Sequence, residues 1–250
     1  MGQPAKRQRL DQLLVARDLA STRSQARDLI LSGAVSVGGQ TVTKPGEQVS
    51  PDQSVSVDED ARPYVSRSGV KLAAALDEFG FSVQDRTVLD LGASTGGFTH
   101  VLLDRGATRV FAVEVGRSQL HPTLLRDPRV VSLEGRDARD LDASTINEPI
   151  TAVVADLSFI SLTLALPAAL ELTVPGAWLV ALIKPQFELE QRALGKGGVV
   201  RDEAARERAV QKIRDWMAAQ KGWLVSGVVP SPIEGAKGNQ EYLIGAERQA

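Results

Sequence analysis

The chain has 250 residues, 43% of them apolar, and its 29 Lys and Arg against 31 Asp and Glu give a net charge of −2. This composition suffices for a sizeable buried core and excludes a globally basic nucleic-acid coat, so a polyanionic partner would have to bind a local patch. The absence of cysteine excludes disulfides, cysteine-based zinc sites and thiol nucleophiles, and two histidines are too few for a histidine-rich site, so we expect no metal.

The N-terminal segment is not typical of a secretory signal, because residues 1–10 are polar and basic and no apolar stretch follows them. The longest weakly polar run, Val174 to Ile183, has ten residues, about half of the ~20 that a membrane-spanning helix needs. We interpret this run as a buried strand. The sequence therefore predicts a cytoplasmic protein with no membrane span.

Residues 1–60 predict a small α+β domain. Leucines at helical spacing predict a first helix from Leu10, and a second helix is expected between a Ser21 cap and Gly33. Short valine-rich extended pieces follow, and Gly38-Gly39 predicts a hairpin turn between two of them.

Positive charge is concentrated in this domain, since residues 1–31 hold six Lys or Arg against three Asp, a local balance of +3. Arg23 and Arg27 are four residues apart and therefore share a helix face. Spacing alone leaves two interpretations open: a solvated face or a patch that contacts phosphates.

The same segment resembles an RNA-binding module that occurs in a small-subunit ribosomal protein, in pseudouridine synthases and in tyrosyl-tRNA synthetases. The residues that support the resemblance are Arg9-Leu10-Asp11, Ser21 to Ala26, Leu31 to Val35, and Val42. The resemblance favours the phosphate-contacting patch. The residues expected to contact RNA are Arg7, Arg9, Arg23 and Arg27 in this domain, Arg67 in the basic segment that joins the two domains, and Lys196 in a glycine-rich loop further along the chain.

Residues 61–70 are expected to form a linker, because Pro63 and Gly69 stand there among serines, and to run into a helix that begins near Ser68. Residues 71–250 then predict a Rossmann-like α/β domain. Apolar runs typical of buried strands alternate with helical stretches; they are Thr87 to Leu91, Arg109 to Val115, Val130 to Leu133, Thr151 to Ala155 and Ala177 to Ile183. This alternation implies a parallel sheet with helices on both faces and a ligand crevice at the carboxyl ends of the strands.

A glycine-rich turn, LGASTGGF from Leu91 to Phe98, follows the first strand. Glycine is needed where the backbone turns tightly and approaches a ligand. Asp90, two residues before the first glycine, suits an amine-bearing ligand better than pyrophosphate, and Glu114 at the end of the second strand can bind ribose hydroxyls. These features favour S-adenosylmethionine over NAD, although the glycines could serve only to make a strand-to-helix turn. Asp137 could accept from an adenine amino group or form a surface ion pair with Arg136 or Arg139.

Four polar residues stand at strand or helix ends near the expected crevice: Lys71, Asp156, Lys184 and Glu241. Asp156 and Lys184 directly follow buried strands, and burying either charge alone would cost several kcal/mol, so we expect them to pair. Such a pair could merely close the sheet end. A partly desolvated lysine held between carboxylates can also orient or deprotonate a hydroxyl such as a ribose 2′-OH. In that case Lys184 would act as the base or steer the proton, and Asp156 would adjust the basicity of Lys184. Lys71 would stabilise the 2′ oxygen, and Glu241 would position Lys71 or Lys184.

The chain also resembles the TlyA family of ribosomal RNA 2′-O-methyltransferases, historically labelled hemolysin A, whose catalytic domain is similar to FtsJ-type enzymes. The matching strings are YVSRSGVKL, LDLGASTGGFTHVLLDRGA, VFAVEVGRSQL, DPRVV, DLSFISL, LIKPQFE, GKGGVVRD and SPIEGAKGNQEYL. The resemblance implies a catalytic tetrad of Lys71, Asp156, Lys184 and Glu241, and cofactor contacts from Asp90, Gly92, Ser94, Gly96, Gly97, Glu114, Asp137 and Asp156. It further implies S-adenosylmethionine as cofactor, ribosomal RNA as partner and cytidine ribose methylation.

Other functions compete with this interpretation. A non-catalytic ribosome-binding or assembly factor on the same fold would bind rRNA without using the tetrad. A hemolysin follows only from the historical label, and the lack of a signal, a spanning segment or a strongly amphipathic cationic helix argues against it. A DNA base methyltransferase is disfavoured because Asp156-Leu157-Ser158-Phe159 lacks a proline-rich turn. The tryptophans, Trp178, Trp216 and Trp223, are assigned to packing rather than base stacking.

Overall fold

The computed structural model describes residues 7–20, 23–58, 64–190, 194–195 and 197–249. The chain divides into two compact units, Met1–Arg67 and Ser68–Ala250. The expected cap at Ser21, residues 61–63 of the expected linker and Lys196 lie outside the described residues. Residues 68–70 of that linker belong to a helix, because the helical spacing of Leu72, Ala75 and Leu76 gives this segment a face that is buried.

The N-terminal unit is a small α+β domain. Its helices are α1 (Leu10–Ala16) and α2 (Arg23–Leu31), and its strands are β1 (Gln8–Arg9), β2 (Val35–Val37), β3 (Gln40–Thr41), β4 (Gln48–Val49) and β5 (Val55–Val57). β1 pairs with β4, and β3-β2-β5 form an antiparallel sheet. Leu10, Leu14 and Ile30 are fully buried in its core. Gly38 and Gly39 have φ values of 58° and 81° in a two-residue turn between β2 and β3, which confirms the predicted hairpin.

The second unit is built on a seven-stranded sheet of order β11-β12-β10-β9-β6-β7-β8. The strands are β6 (Thr87–Leu91), β7 (Arg109–Glu114), β8 (Val130–Glu134), β9 (Ile150–Ala155), β10 (Thr173–Ile183), β11 (Trp223–Pro230) and β12 (Tyr242–Arg248). β6 to β10 are parallel, whereas β12 is antiparallel to both of its neighbours. The chain runs from β6 through β7 to β8 and then returns to β9 on the other side of β6. The topological switch point, where ligands bind in such sheets, therefore lies between β6 and β9.

Helices cover both faces of this sheet. They are α3 (Ser68–Phe79), α4 (Gly97–Asp104), α5 (Pro122–Leu125), α6 (Leu162–Glu171), α7 (Pro185–Glu188) and α8 (Glu203–Ala218). Successive residues of a strand point to opposite faces. Leu89 and Leu91 of β6 accordingly share a core cluster with Leu166 of α6 and Ile213 of α8, whereas the intervening Asp90 bonds α4.

All five predicted strands are present, although the ends of β7, β8 and β9 differ by one residue and β10 begins at Thr173 rather than at Ala177. β7 ends at Glu114, and the following Val115 is 72% exposed. The sheet is not wholly parallel, because β11 and β12 extend it beyond β10 and β12 runs antiparallel to both of its neighbours. Much of β11 is only half-buried, so β11 lacks the continuous apolar run of a central strand. Val174 to Ile183 lies within β10. Within the described ranges, no helix has both the length and the apolar character needed to cross a membrane.

Candidate active site

A glycine turn joins β6 to α4 at the switch point. Gly92 has φ +79°, and a Cβ there would lie 2.7 Å from the backbone oxygen of Asp156, so any side chain would clash with the end of β9. The Asp156 amide donates to the Leu91 carbonyl over 2.9 Å. Gly96, with φ +96°, precedes Gly97, the first residue of α4. The turn and the end of β9 thus form one packed edge.

The carboxylate of Glu114 braces this turn from the end of β7. Its Oε2 accepts from the Ser94 amide at 3.0 Å, and its Oε1 accepts from the Gly116 amide at 2.7 Å. The Ser94 hydroxyl donates to Gln119 Oε1 over 3.3 Å. Each carboxylate oxygen has a second lone pair, so Glu114 can still accept from the hydroxyls of a ligand.

A cleft of about 1090 Å³ opens at this edge of the sheet. Five of the expected cofactor residues line it, namely Gly92, Ser94, Glu114, Asp137 and Asp156. Apolar side chains form much of the remaining wall, among them Val113, Val115 and Ala138 near the ends of β7 and β8. The cleft therefore combines carboxylates with apolar surface. Gly96 and Gly97 shape the turn without lining the cleft.

Asp90 is fully buried and lies outside the cleft lining. Its Oδ2 accepts a 2.6 Å hydrogen bond from the Thr99 hydroxyl, and among the described residues its Oδ1 has no partner. Burial, partly offset by the bond from Thr99 and reinforced by the charges of Asp156 and Glu114, raises the pKa of Asp90 to about 7. The observed role of Asp90 is to tie β6 to α4, and its direct contact with a cofactor stays a prediction.

Asp137 forms an ion pair with Arg139, one of the interactions that the sequence left open for it. Its Oδ1 accepts from the Arg139 amide at 2.9 Å and from Arg139 Nε at 3.0 Å, and its Oδ2 accepts from Arg139 Nη2 at 2.6 Å. These hydrogen bonds from Arg139 lower the pKa of Asp137. Asp137 is thus a charged acceptor on the cleft wall, already engaged by an arginine.

The four tetrad candidates form two ion pairs. Lys184 Nζ lies 2.7 Å from Asp156 Oδ1 and donates to Ser158 Oγ over 2.9 Å. Lys71 Nζ lies 2.6 Å from Glu241 Oε2. Glu241 and both lysines are buried, and the Asp156 side chain is 17% exposed. The sequence left open whether Glu241 would position Lys71 or Lys184, and in the structure Glu241 pairs with Lys71.

Strand register brings the two pairs to one edge of the sheet. Ile183 at the end of β10 pairs with Tyr242 at the start of β12, so Lys184 and Glu241 come directly beyond matched residues on adjacent strands. Asp156 follows β9, the other neighbour of β10. Two ammonium groups and two carboxylates therefore surround the carboxyl ends of β9 and β10. The described residues contain no group of three or more His, Asp or Glu placed to hold a metal ion.

Phe159 is a feature of the cleft that the sequence interpretation missed. It is 90% exposed, has φ +66°, lines the cleft and lies 5.0 Å from Phe187 between ring centroids. Exposing a phenylalanine on strained backbone is unfavourable, which points to a function for it. The tryptophans pack instead, with Trp178 and Trp223 buried. An apolar residue three positions after a strand-end aspartate was the available signal.

The arginines of the N-terminal unit differ in their surroundings. Arg9 donates to both oxygens of Asp11 at 2.9 and 3.0 Å, and Arg23 donates to Asp11 Oδ2 at 3.0 Å. Burial pushes the pKa of Asp11 upward, but these hydrogen bonds outweigh it and hold the pKa below its usual value. Arg67 pairs with Asp28 at 3.2 Å. The remaining described candidates, Arg7 and Arg27, are exposed.

Comparisons with known proteins agree with this two-part organisation. The family model for FtsJ-like methyltransferases matches residues 64–248, and the S4 domain model matches residues 8–55. The chain is 46% identical to the 16S/23S rRNA (cytidine-2′-O)-methyltransferase TlyA of Mycobacterium tuberculosis, over 96% of this chain and 90% of the relative. It is 43% identical to hemolysin A of Brachyspira hyodysenteriae, over 94% and 98% of the two chains. A solved structure from Streptococcus thermophilus, named as a candidate hemolysin, is 38% identical with a TM-score of 0.77, covering 98% of this chain and 89% of that one.

Proposed function

Because the chain belongs to the TlyA family of FtsJ-like methyltransferases, we propose that it transfers a methyl group from S-adenosylmethionine to a ribose 2′-hydroxyl of ribosomal RNA, with cytidine as the target. The observation that supports this most directly is the pairing of Lys184 with Asp156 and of Lys71 with Glu241 beside the glycine turn. The relative from Mycobacterium tuberculosis is named for this reaction on cytidine.

The residues of the cleft fit S-adenosylmethionine. The carboxylates of Glu114 and Asp156 suit ribose hydroxyls and a positively charged sulfonium and ammonium, and Val113, Val115 and Ala138 offer an apolar wall to an adenine. The close approach of the Gly92 backbone to Asp156 packs the glycine turn against the end of β9 at the edge of the cleft. When bound, the cofactor supplies an electrophilic methyl group.

Lys184 orients the 2′-hydroxyl and draws its proton. Asp156 and Ser158 engage Lys184 Nζ on two sides, which leaves the third position on the nitrogen for the substrate. At that position Lys184 orients the hydroxyl oxygen and steers its proton away as the oxygen is methylated. Lys71, fixed by Glu241, stabilises the negative charge that develops on the 2′ oxygen. A bound cofactor would supply its methyl group directly to the 2′ oxygen, with the sulfur–methyl bond breaking and the thioether leaving, so no covalent enzyme intermediate would be needed.

The RNA is held by both units of the chain. Phe159 offers an exposed ring at the cleft on which the target base can stack. Arg7 and Arg27 are exposed on the N-terminal unit and suit phosphate contacts, while Arg9 and Arg23 are oriented by Asp11 and remain about half exposed, at 42% and 57% of their side chains.

The decisive experiment incubates the purified protein with S-adenosylmethionine and ribosomal subunits that lack its modification, and then maps ribose methylation on the rRNA. We expect methylation of a cytidine by the wild-type protein. We expect Lys184→Ala to lose at least 100-fold in rate while it still folds and binds the cofactor, although the loss of the ion pair with Asp156 lowers its thermal stability. Binding of subunits without methyl transfer would identify an assembly factor, and dye release from lipid vesicles would identify a hemolysin.

A further inference from the structure

Gln186 is a polar residue of the cleft that the proposed chemistry does not use. It lies in α7, two residues after Lys184, and lines the cleft. Its Oε1 is buried and has no hydrogen-bond partner among the described residues. Buried acceptors in folded proteins are nearly always bonded. An unbonded acceptor on a residue that lines a cleft therefore indicates that a donor is missing, and a bound ligand can supply it once the side chain turns to expose the oxygen.

The sheet order shows which ligand this is. The cofactor side of the cleft is formed by the turn after β6 and by the ends of β7 and β8, whereas Gln186 follows β10, which is separated from β6 by β9. Its neighbours in the lining are the segment after β9, with Phe159, and Phe187 of α7. Gln186 thus lies on the side where Lys184 meets the nucleotide rather than on the side that holds the cofactor.

We propose that Gln186 determines base specificity by accepting a hydrogen bond from the exocyclic amino group of the target cytosine. This inference rests on the proposed function. The paired rings of Phe159 and Phe187, with centroids 5.0 Å apart, offer apolar surface to the base next to the amide. Cytosine presents an amino donor at position 4, whereas uracil presents an oxygen acceptor there, which would face the Gln186 acceptor without a bond. A site built around such a bond rejects the analogue that lacks it.

The test compares methylation of cytidine and uridine at the same position. Ribosomal subunits are reconstituted from rRNA with either nucleotide at the site first mapped with the wild-type protein, and initial rates are measured for wild type, Gln186→Met and Gln186→Ala. Gln186→Met keeps the side-chain length without the amide. We expect both variants to reduce the preference for cytidine over uridine by about tenfold or more, mainly through a lower rate on cytidine.

Stability and cofactor binding serve as controls. Among the described residues no hydrogen bond to Gln186 Oε1 is lost in these variants, so their melting temperatures and affinities for S-adenosylmethionine should match wild type. Gln119 lies on the cofactor side of the cleft and accepts a hydrogen bond from the Ser94 hydroxyl. Gln119→Ala should therefore change cofactor affinity and keep the base preference. Variants at Gln186 that keep the wild-type preference, or that lose cofactor affinity instead, would overturn the inference. Failure of the wild-type protein to methylate either subunit would overturn the proposed function, and with it this assignment.

Discussion

At the scale of single residues, the Lys71–Glu241 pair can separate a structural role from a chemical one. Their side chains are 6% and 2% exposed and 2.6 Å apart. Glu241→Leu should lower the free energy of unfolding by about 3 kcal/mol, because it leaves a buried, uncompensated charge. The double variant Lys71→Met/Glu241→Leu should recover most of that stability, since an apolar pair replaces the ion pair, but it should not recover methylation. Denaturant titrations and initial rates measure the two quantities.

The exposed pair of Arg208 and Asp202 provides the control, with side chains 64% and 65% exposed and 3.6 Å apart. Arg208→Ala should change the free energy of unfolding by less than about 1 kcal/mol and leave the rate unchanged. If the double variant at Lys71 and Glu241 regained its rate together with its stability, the pair would serve only to close the end of the sheet.

Asp90 predicts a pH dependence of stability. Its pKa is about 7 in the folded protein, against about 4 in an unfolded chain. Between these values the folded state binds a proton that the unfolded state has lost, so this group reduces stability as pH rises from about 4 to about 7. Asp90→Asn removes the titration. The free energy of unfolding of Asp90→Asn relative to wild type should therefore increase by a few kcal/mol between pH 5 and pH 8, as urea titrations at both pH values would show.

Asp142 is the matched control for that experiment. Hydrogen bonds from Ser144 and Thr145 lower its pKa to about 2, so it is ionised in both states throughout pH 5 to 8. The difference between Asp142→Asn and wild type should accordingly stay constant over that range. A constant difference for Asp90→Asn as well would show that Asp90 does not carry a raised pKa.

Single-residue roles could be predicted from sequence where they depend on local backbone. Gly92 stands at a strand-to-helix turn, and its positive φ follows from that position. The partner of Glu241 could not be predicted, because its pairing with Lys71 joins residues far apart in the chain and depends on side-chain directions set by distant elements. Phe159 and Gln186 were missed because their significance is an exposed ring and an unbonded oxygen, which are properties of the packed structure.

At the scale of elements, Glu188 links three helices behind the cleft. Its Oε1 accepts from the Leu162 amide at the start of α6 over 2.8 Å, and its Oε2 accepts from Ser161 Oγ at 2.5 Å and from Lys212 Nζ of α8 at 3.0 Å. Its side chain is 2% exposed. This network ties the segment after β9, which carries Phe159, to α7 after Lys184.

Glu188→Ala should therefore impair both stability and catalysis. The loss of three hydrogen bonds to a buried carboxylate should reduce the free energy of unfolding by about 3 kcal/mol. The methylation rate at a temperature well below the melting point should fall about tenfold, because the segment after β9 loses its anchor. Lys212→Met should have a smaller effect, because Ser161 and Leu162 still bond the carboxylate. A rate equal to wild type in folded Glu188→Ala would limit Glu188 to a structural role.

The order of elements was largely predictable, and the register that joins them was not. Largely apolar runs identify β6, β7, β9 and β10 because central parallel strands are buried on both faces, whereas β8 at the edge of the sheet is only partly buried. β12 is inserted between β10 and β11, a long-range pairing with no local sign in the sequence. That pairing, through Ile183 and Tyr242, is what brings Glu241 to the edge of the sheet beside Lys184.

At the scale of the whole molecule, a net charge of −2 requires that RNA affinity come from local patches. The N-terminal unit supplies one, but its arginines are not equivalent. Arg9 and Arg23 are bonded to the buried Asp11, and Arg67 is paired with Asp28. Replacing any of these three changes folding contacts together with charge, whereas Arg27 is exposed on α2 and provides the cleaner test of RNA contact.

Arg27→Ala should weaken binding to ribosomal subunits by about three- to tenfold and reduce the slope of log affinity against log salt by about one, because one phosphate contact is lost. Its melting temperature and cofactor affinity should equal those of wild type. Lys221 is an exposed cation in the second unit, so Lys221→Ala removes one positive charge as Arg27→Ala does and serves as the control. Lys221→Ala should leave the slope unchanged. Filter binding from 50 to 300 mM salt distinguishes the two. Equal slopes for Arg27→Ala and wild type would mean that α2 presents a solvated face to water, because a residue that releases no counterions on binding contacts no phosphate.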